Sequence, residues 1–221
     1  YGFDIFPGGM DGLVHMSHGN KIYQDLLKYN FYEAFKGSES VFYFLPGLRY
    51  FWSLSKFIFG DSLYGYLLMP YLYSGILFYI LKYVVGIKWS LTIVFINFFT
   101  NAFDGYALPN MKMINQINVG HAEPLAIFFM LVSFLIFLKI IHNKINLNSK
   151  FYNFMFGFFL FLSVSLRPDY LPSSIILLLA LIYYNYYNKT SFSSLFAILG
   201  FILLTLIPFH NYSFGNVYVL F

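Results

Sequence analysis

HAEPLAIFFMLVSFLIFLKII, residues 121–141, has one acid at its start, one Lys near its end and no charge from Pro124 to Leu138. Hydrocarbon leaves no water to satisfy backbone N–H and C=O groups, so such a run reads as a helix bonded within itself and spanning a bilayer, whose core needs roughly 20 apolar residues. Glu123 and Pro124 suit its first turn, where the helix end is positive and an N–H is spare.

Outward from this stretch, apolar runs recur at 63–85, 86–103, 151–166, 171–187 and 191–209, giving six expected spans. The composition agrees: 59% of the 221 residues are hydrophobic, 10% are charged, and the mean hydropathy is +0.67. These values belong to an integral membrane protein. The expected fold class is therefore an all-α membrane protein, a polytopic helical bundle preceded by an N-terminal outward-facing loop with juxtamembrane helices. Half of the charged residues lie in that loop, residues 1–62, ahead of the bundle at 63–209 and a further outer segment at 210–221. Within the loop, FYFLPGLRYFWSLSKFIF (42–59) is apolar but holds Pro46, Gly47, Arg49 and Lys56, an interfacial-helix signature.

Charge bias sets the orientation. With 42–59 on the outer surface, Lys82, Lys88, Lys139, Lys144, Lys150 and Lys189 fall inside, and only Lys112 and Arg167 fall outside. Asp104, Glu123 and Asp169, the acids beyond position 62, all fall outside, as the positive-inside bias favours. This arrangement predicts a multi-pass protein of a bacterial-type plasma membrane with its polar chemistry on the outer face. The basic residues serve as orientation signals, so nucleic acid is not an expected partner. No cysteine is present, which excludes disulfides, thiolate metal sites and a Cys nucleophile. Tyr1 and the abrupt end at Phe221 read as a piece of a longer protein, and residues 1–40 lack a signal-peptide pattern.

Three outer segments carry candidate chemistry. GGMDGLVHMSHGNKIYQDLLKYNFYEAFKGSES (8–40) places Asp11, His15 and His18 at i, i+4 and i+7, one face of a helix. One carboxylate and two imidazoles could bind a divalent metal, or the histidines could tune Asp11 as a general base. The alternative is a polar face of an interfacial helix. NAFDGYALPNMKMINQINVGHAEPLAIFF (101–129) brings His121 and Glu123 to a helix mouth, where Glu123 is either a second working carboxylate or simple helix-end electrostatics; Asp104 is first of all a turn residue. In LRPDY, Arg167 and Asp169 flank Pro168, either as a local ion pair or with Arg167 matching the oxygens of a lipid phosphate. His210 and Asn211 open the last outer segment and could reach the same phosphate.

Taken in order, the Asp in the first loop, YEAFKGSESVFYFLPGLRYFWSLSKFIFGDS (32–62), GHAEP (120–124), SLRPDYLP (165–172) and PFHNYSFGNVYVLF (208–221) resemble membrane glycosyltransferases of the GT-C superfamily. Protein mannosyltransferase-like and lipid A aminoarabinose transferase-like members are nearest. Many members carry an acidic pair in the first loop, where this chain has Asp11 followed by Gly12. The resemblance implies inverting transfer of a sugar from a polyprenyl-phosphate carrier to a protein, lipid or glycan acceptor. It also implies Asp11 as base, Glu123 as a second catalytic carboxylate, and His15, His18, His121, Arg167, Asp169, His210 and Asn211 at the substrates. A cofactor is not required by it, although a divalent metal is compatible. The alternative function is a transporter or flippase of a lipid-linked sugar or small anion, which also uses intramembrane charges.

Overall fold

A computed structural model describes residues 10–43, 45–60, 69–99, 121–142 and 150–219, and every regular element among them is helical. Helices α1 (Met10–Leu27), α2 (Phe31–Lys36) and α3 (Gly47–Phe59) form an N-terminal cap. There follow α4 (Met69–Phe99), α5 (Glu123–Ile141), α6 (Lys150–Leu166), a short 3-10 turn (Pro168–Tyr170), α7 (Leu171–Tyr187), α8 (Ser191–Phe201), a second 3-10 turn (Ile202–Thr205) and α9 (Leu206–Gly215).

Three helical stretches among the described residues are long and apolar enough to cross a membrane: Leu72–Ile96, Glu123–Ile141 and Ser191–Gly215. The expected runs at 151–166 and 171–187 are 17-residue helices, about 26 Å long at the α-helical rise. Of the pair expected at 63–85 and 86–103, the described residues form one helical run, α4, interrupted at Gly86 (φ 80°, ψ 170°). Only glycine reaches that conformation without steric cost. Tyr73 packs with Leu125 and Ala126 at the start of α5, whereas the Tyr83 ring stacks on His142 just past its end, 5.2 Å between centroids. The first half of α4 therefore runs parallel to α5.

The helices meet through small and polar residues as well as apolar ones. Ser133 Oγ donates to Phe156 O (3.1 Å) and Ser163 Oγ to Ala126 O (2.8 Å), tying α5 to α6. Asn185 Nδ2 donates to Asn153 Oδ1 and to Ser194 Oγ, both at 3.1 Å, joining α7, α6 and α8. Gly157 and Gly200 let α6 and α8 touch backbone to backbone: a Cβ on either would run into Ala197 O or Phe154 O. Small and polar residues are buried beside Phe156, Leu160 and Leu181, while Ile176, Leu179, Phe192, Leu195 and Phe209 are exposed, an apolar surface compatible with lipid. Without a hydrophobic drive between helices, close contact and interhelical hydrogen bonds hold the bundle. Helix α3 buries Arg49, Ser53 and Lys56 along with Leu48 and Trp52, and exposes Leu54, Phe57 and Ile58.

Candidate functional site

The cap meets the bundle at one end. Leu48 and Trp52 of α3 pack with Leu125 and Ala126 at the start of α5 and with Leu166 at the end of α6. Phe42 and Leu45 pack with Val164, Leu204 and Ile207. Among the described residues, α3, the start of α5, the LRPDY turn and the last segment thus lie at one end of the helices.

Two charged clusters stand there. Pro168 forces Arg167 into an extended conformation (φ −146°, ψ 115°), which ends α6 at Leu166. The Arg167 Nη2 atom then lies 2.8 Å from Glu123 Oε1 and 3.3 Å from Asp169 Oδ2, while His121 Nδ1 is 3.4 Å from Glu123 Oε2. All four residues expected from these two segments are brought together. Arg167 Nε is buried and makes no hydrogen bond among the described residues. Tyr170, not singled out in the sequence, joins them: burial first, then the Glu123 carboxylate, push its phenol up, with Asp169 and Tyr73 adding and Arg167 opposing.

The second cluster contains Glu39 and Arg49, which the sequence reading passed over. Arg49 looked like an interfacial charge, yet only 1% of it is exposed. Its Nη2 is 2.9 Å from Glu39 Oε2, its Nη1 donates to Gly37 O at 2.9 Å, and its guanidinium sits 4.9 Å from the Phe42 ring centre. His18 Nε2 is 3.3 Å from Glu39 Oε1, so the expected substrate-facing histidine is engaged within the cap. Burial lowers the His18 pKa, Arg49 and Lys21 lower it further, and Glu39 opposes them. Tyr50, whose hydroxyl donates to Phe35 O (2.8 Å), is pushed up to about 12 by burial against the pull of Arg49.

Asp11 lies in the first turn of α1, but its side chain is outside the described residues, as is Asp104. His15 is half-buried on α1 and has an interaction partner. Among the described residues no cluster of three His, Cys, Asp or Glu could hold a metal ion, and the set Asp11, His15 and His18 includes the undescribed carboxylate. Asn211, expected at the substrates, is fully buried and clasps backbone, accepting from Phe42 N (2.7 Å) and donating through Nδ2 to Val219 O (2.8 Å). His210 likewise serves the fold, with Nε2 3.0 Å from Lys36 O and its ring stacked on Phe42 at 3.7 Å.

Between the cap and the bundle lies an apolar cavity of about 580 Å³. Tyr50, Phe51 and Leu54 of α3 form one wall; Leu125 and Phe129 of α5, Phe158 and Leu166 of α6, and Leu206 and His210 of α9 form the others. Leu125 and Leu166 belong to the same helix ends as Glu123 and Arg167, although neither charged residue lines the cavity itself. Phe129 and Phe158 carry it roughly 10 Å down the helices at 1.5 Å per residue. No family model, curated protein or solved structure matches this chain.

Proposed function

We propose that this chain is the GT-C-like part of an integral membrane glycosyltransferase that takes a sugar from a polyprenyl-phosphate carrier at the outer leaflet. The observation carrying this reading is the apolar cavity between α3, α5, α6 and α9, at the end of the helices where Glu123 and Arg167 pair. A lipid-linked donor needs both features, hydrocarbon contact for its chain and cationic contact for its phosphate.

In this reading the bundle is polytopic and its charged end faces outward. Arg167, with Nε uncommitted, holds the donor phosphate; His121 and Asp169 fix the Glu123–Arg167 pair. Asp11 takes the proton of the acceptor hydroxyl as its oxygen attacks the anomeric carbon. The new C–O bond forms with inversion, the bond to the phosphate oxygen breaks, and polyprenyl phosphate leaves with the electron pair. Glu123 shapes the field around Arg167, and His15 stands one turn beyond Asp11 on the same helix face.

The test uses the full-length protein in lipid nanodiscs with a radiolabelled polyprenyl-phosphate sugar and a mixture of lipid and peptide acceptors. Transfer is expected from the parent and is lost in Asp11→Asn, with unchanged thermal unfolding. Transfer at the parent rate by Asp11→Asn overturns the assignment of the base. Donor that leaves the sugar in place but crosses to the opposite leaflet would establish a flippase instead.

A further inference from the structure

The segment joining α2 to α3 is fastened to two walls of the cavity at once, and Phe35, Phe42 and Pro46 on or beside it line the cavity. On the α3 side the anchors are Tyr50 to Phe35 O, Arg49 to Gly37 O, and the Arg49–Glu39 pair. On the α9 side they are Phe42 N to Asn211 Oδ1, His210 Nε2 to Lys36 O, and the stacked Phe42 and His210 rings.

The two sets differ in strength. Arg49 is buried and makes one charge-assisted hydrogen bond, to Gly37 O, roughly twice as strong as a neutral one, together with an ion pair to Glu39. Gly37 and Ser38 are both left-handed (φ 66° and 72°), so the Arg49 anchor also holds a turn that a free chain would leave. The α9 anchors are neutral. Moreover, both His210 nitrogens face oxygens, Lys36 O at 3.0 Å and Asn211 Oδ1 at 3.3 Å. Asn211 already donates through Nδ2 to Val219 O, so a neutral imidazole can donate to one of the two oxygens and leaves the other contact unrewarded.

We propose that residues 36–43 are a strap across the outer end of the cavity, held to α3 by Arg49 and released from α9 when a hydrocarbon chain enters. The chain is that of a lipid, because the cavity opens alongside helices fit to span a bilayer and reaches into them, where lipid chains are the abundant apolar ligand. This inference rests on the reading of the cavity as a chain site, but not on any transfer of sugar.

The absence of cysteine makes a clean test available. A Cβ at Gly215 would lie against the Val41 side chain and the Ser40 backbone, so Val41→Cys with Gly215→Cys ties the strap to α9 by one reversible bond. The full-length double variant in nanodiscs is exposed to a diazirine-bearing hexadecyl phosphate, and label on the peptides containing Phe129 and Phe158 is quantified. Severalfold less label in the oxidised form, restored to the parent amount by reduction, supports the strap. Equal labelling in both forms overturns the strap and leaves the cavity reading intact. Absence of label from these peptides in the parent and both forms overturns the strap and the chain site together.

Discussion

Arg49 Nη2 stands 2.9 Å from Glu39 Oε2, and the arginine is almost wholly buried while 29% of the Glu39 side chain reaches solvent. Removing the guanidinium would leave Gly37 O and one carboxylate oxygen facing apolar rings. Arg49→Ala is therefore expected to destabilise the protein by about 3 kcal/mol, the lower end of the cost of breaking a buried pair because Glu39 can rehydrate. Glu39→Gln, which keeps an acceptor for Arg49, should cost less. Detergent-solubilised unfolding curves of the two variants check the ranking, and equal losses would mean that the pair does not hold the cap.

The contact between α6 and α8 predicts an asymmetric response to adding a methyl group. Gly157→Ala and Gly200→Ala should each cost about 1–3 kcal/mol or more, because the new carbon meets backbone that cannot move aside. Gly75→Ala on α4, where nothing lies within 4 Å, should be neutral or stabilising by up to about 1 kcal/mol through helix propensity. Thermal unfolding of the three variants decides it; a harmless Gly157→Ala would show that the two helices pack less closely.

How much of this was legible in the sequence follows the range of each signal. Apolar runs and helix-mouth residues are local, so the helices beginning at Glu123 and ending at Leu166, and the Arg167–Asp169 contact across Pro168, could be anticipated. Partners distant along the chain could not. Arg49 carries the same local signature whether it snorkels to water or, as here, turns inward to a loop ten residues earlier. Asn211 finds its partner 169 positions away, and nothing near it announces that both amide groups are spent on backbone.

His18 makes stability depend on pH with a definite sign. Its pKa is lowered from 6.5, chiefly by burial, so below about 6.5 the unfolded chain binds the proton more readily than the folded one. The contribution is present in full above that value and is lost as pH falls toward the folded pKa. His18→Gln should flatten the fall in unfolding midpoint between about pH 7.5 and 5.5, the window around a histidine's ordinary value. An unchanged pH slope in this variant would assign the acid sensitivity to other groups.

The Glu123–Arg167 pair offers the sharpest separation between structure and chemistry. At 2.8 Å and partly exposed, it is an ion pair in its own right, and Arg167→Ala should weaken the α5–α6 junction whether or not a donor binds there. Exchanging the charges, Glu123→Arg with Arg167→Glu, rebuilds the pair with its sign reversed. His121 and Asp169 then face the wrong partners, which costs part but not all of the recovered stability. If Arg167 holds a phosphate, the exchange restores the unfolding midpoint relative to Arg167→Ala and yet puts a carboxylate where the phosphate sits, a like-charge contact no repacking removes. Binding of a fluorescent polyprenyl phosphate should then fall at least about tenfold, which requires only about 1.4 kcal/mol. Full donor affinity in the exchanged variant would make the pair purely structural and move the phosphate elsewhere on the outer end of the bundle.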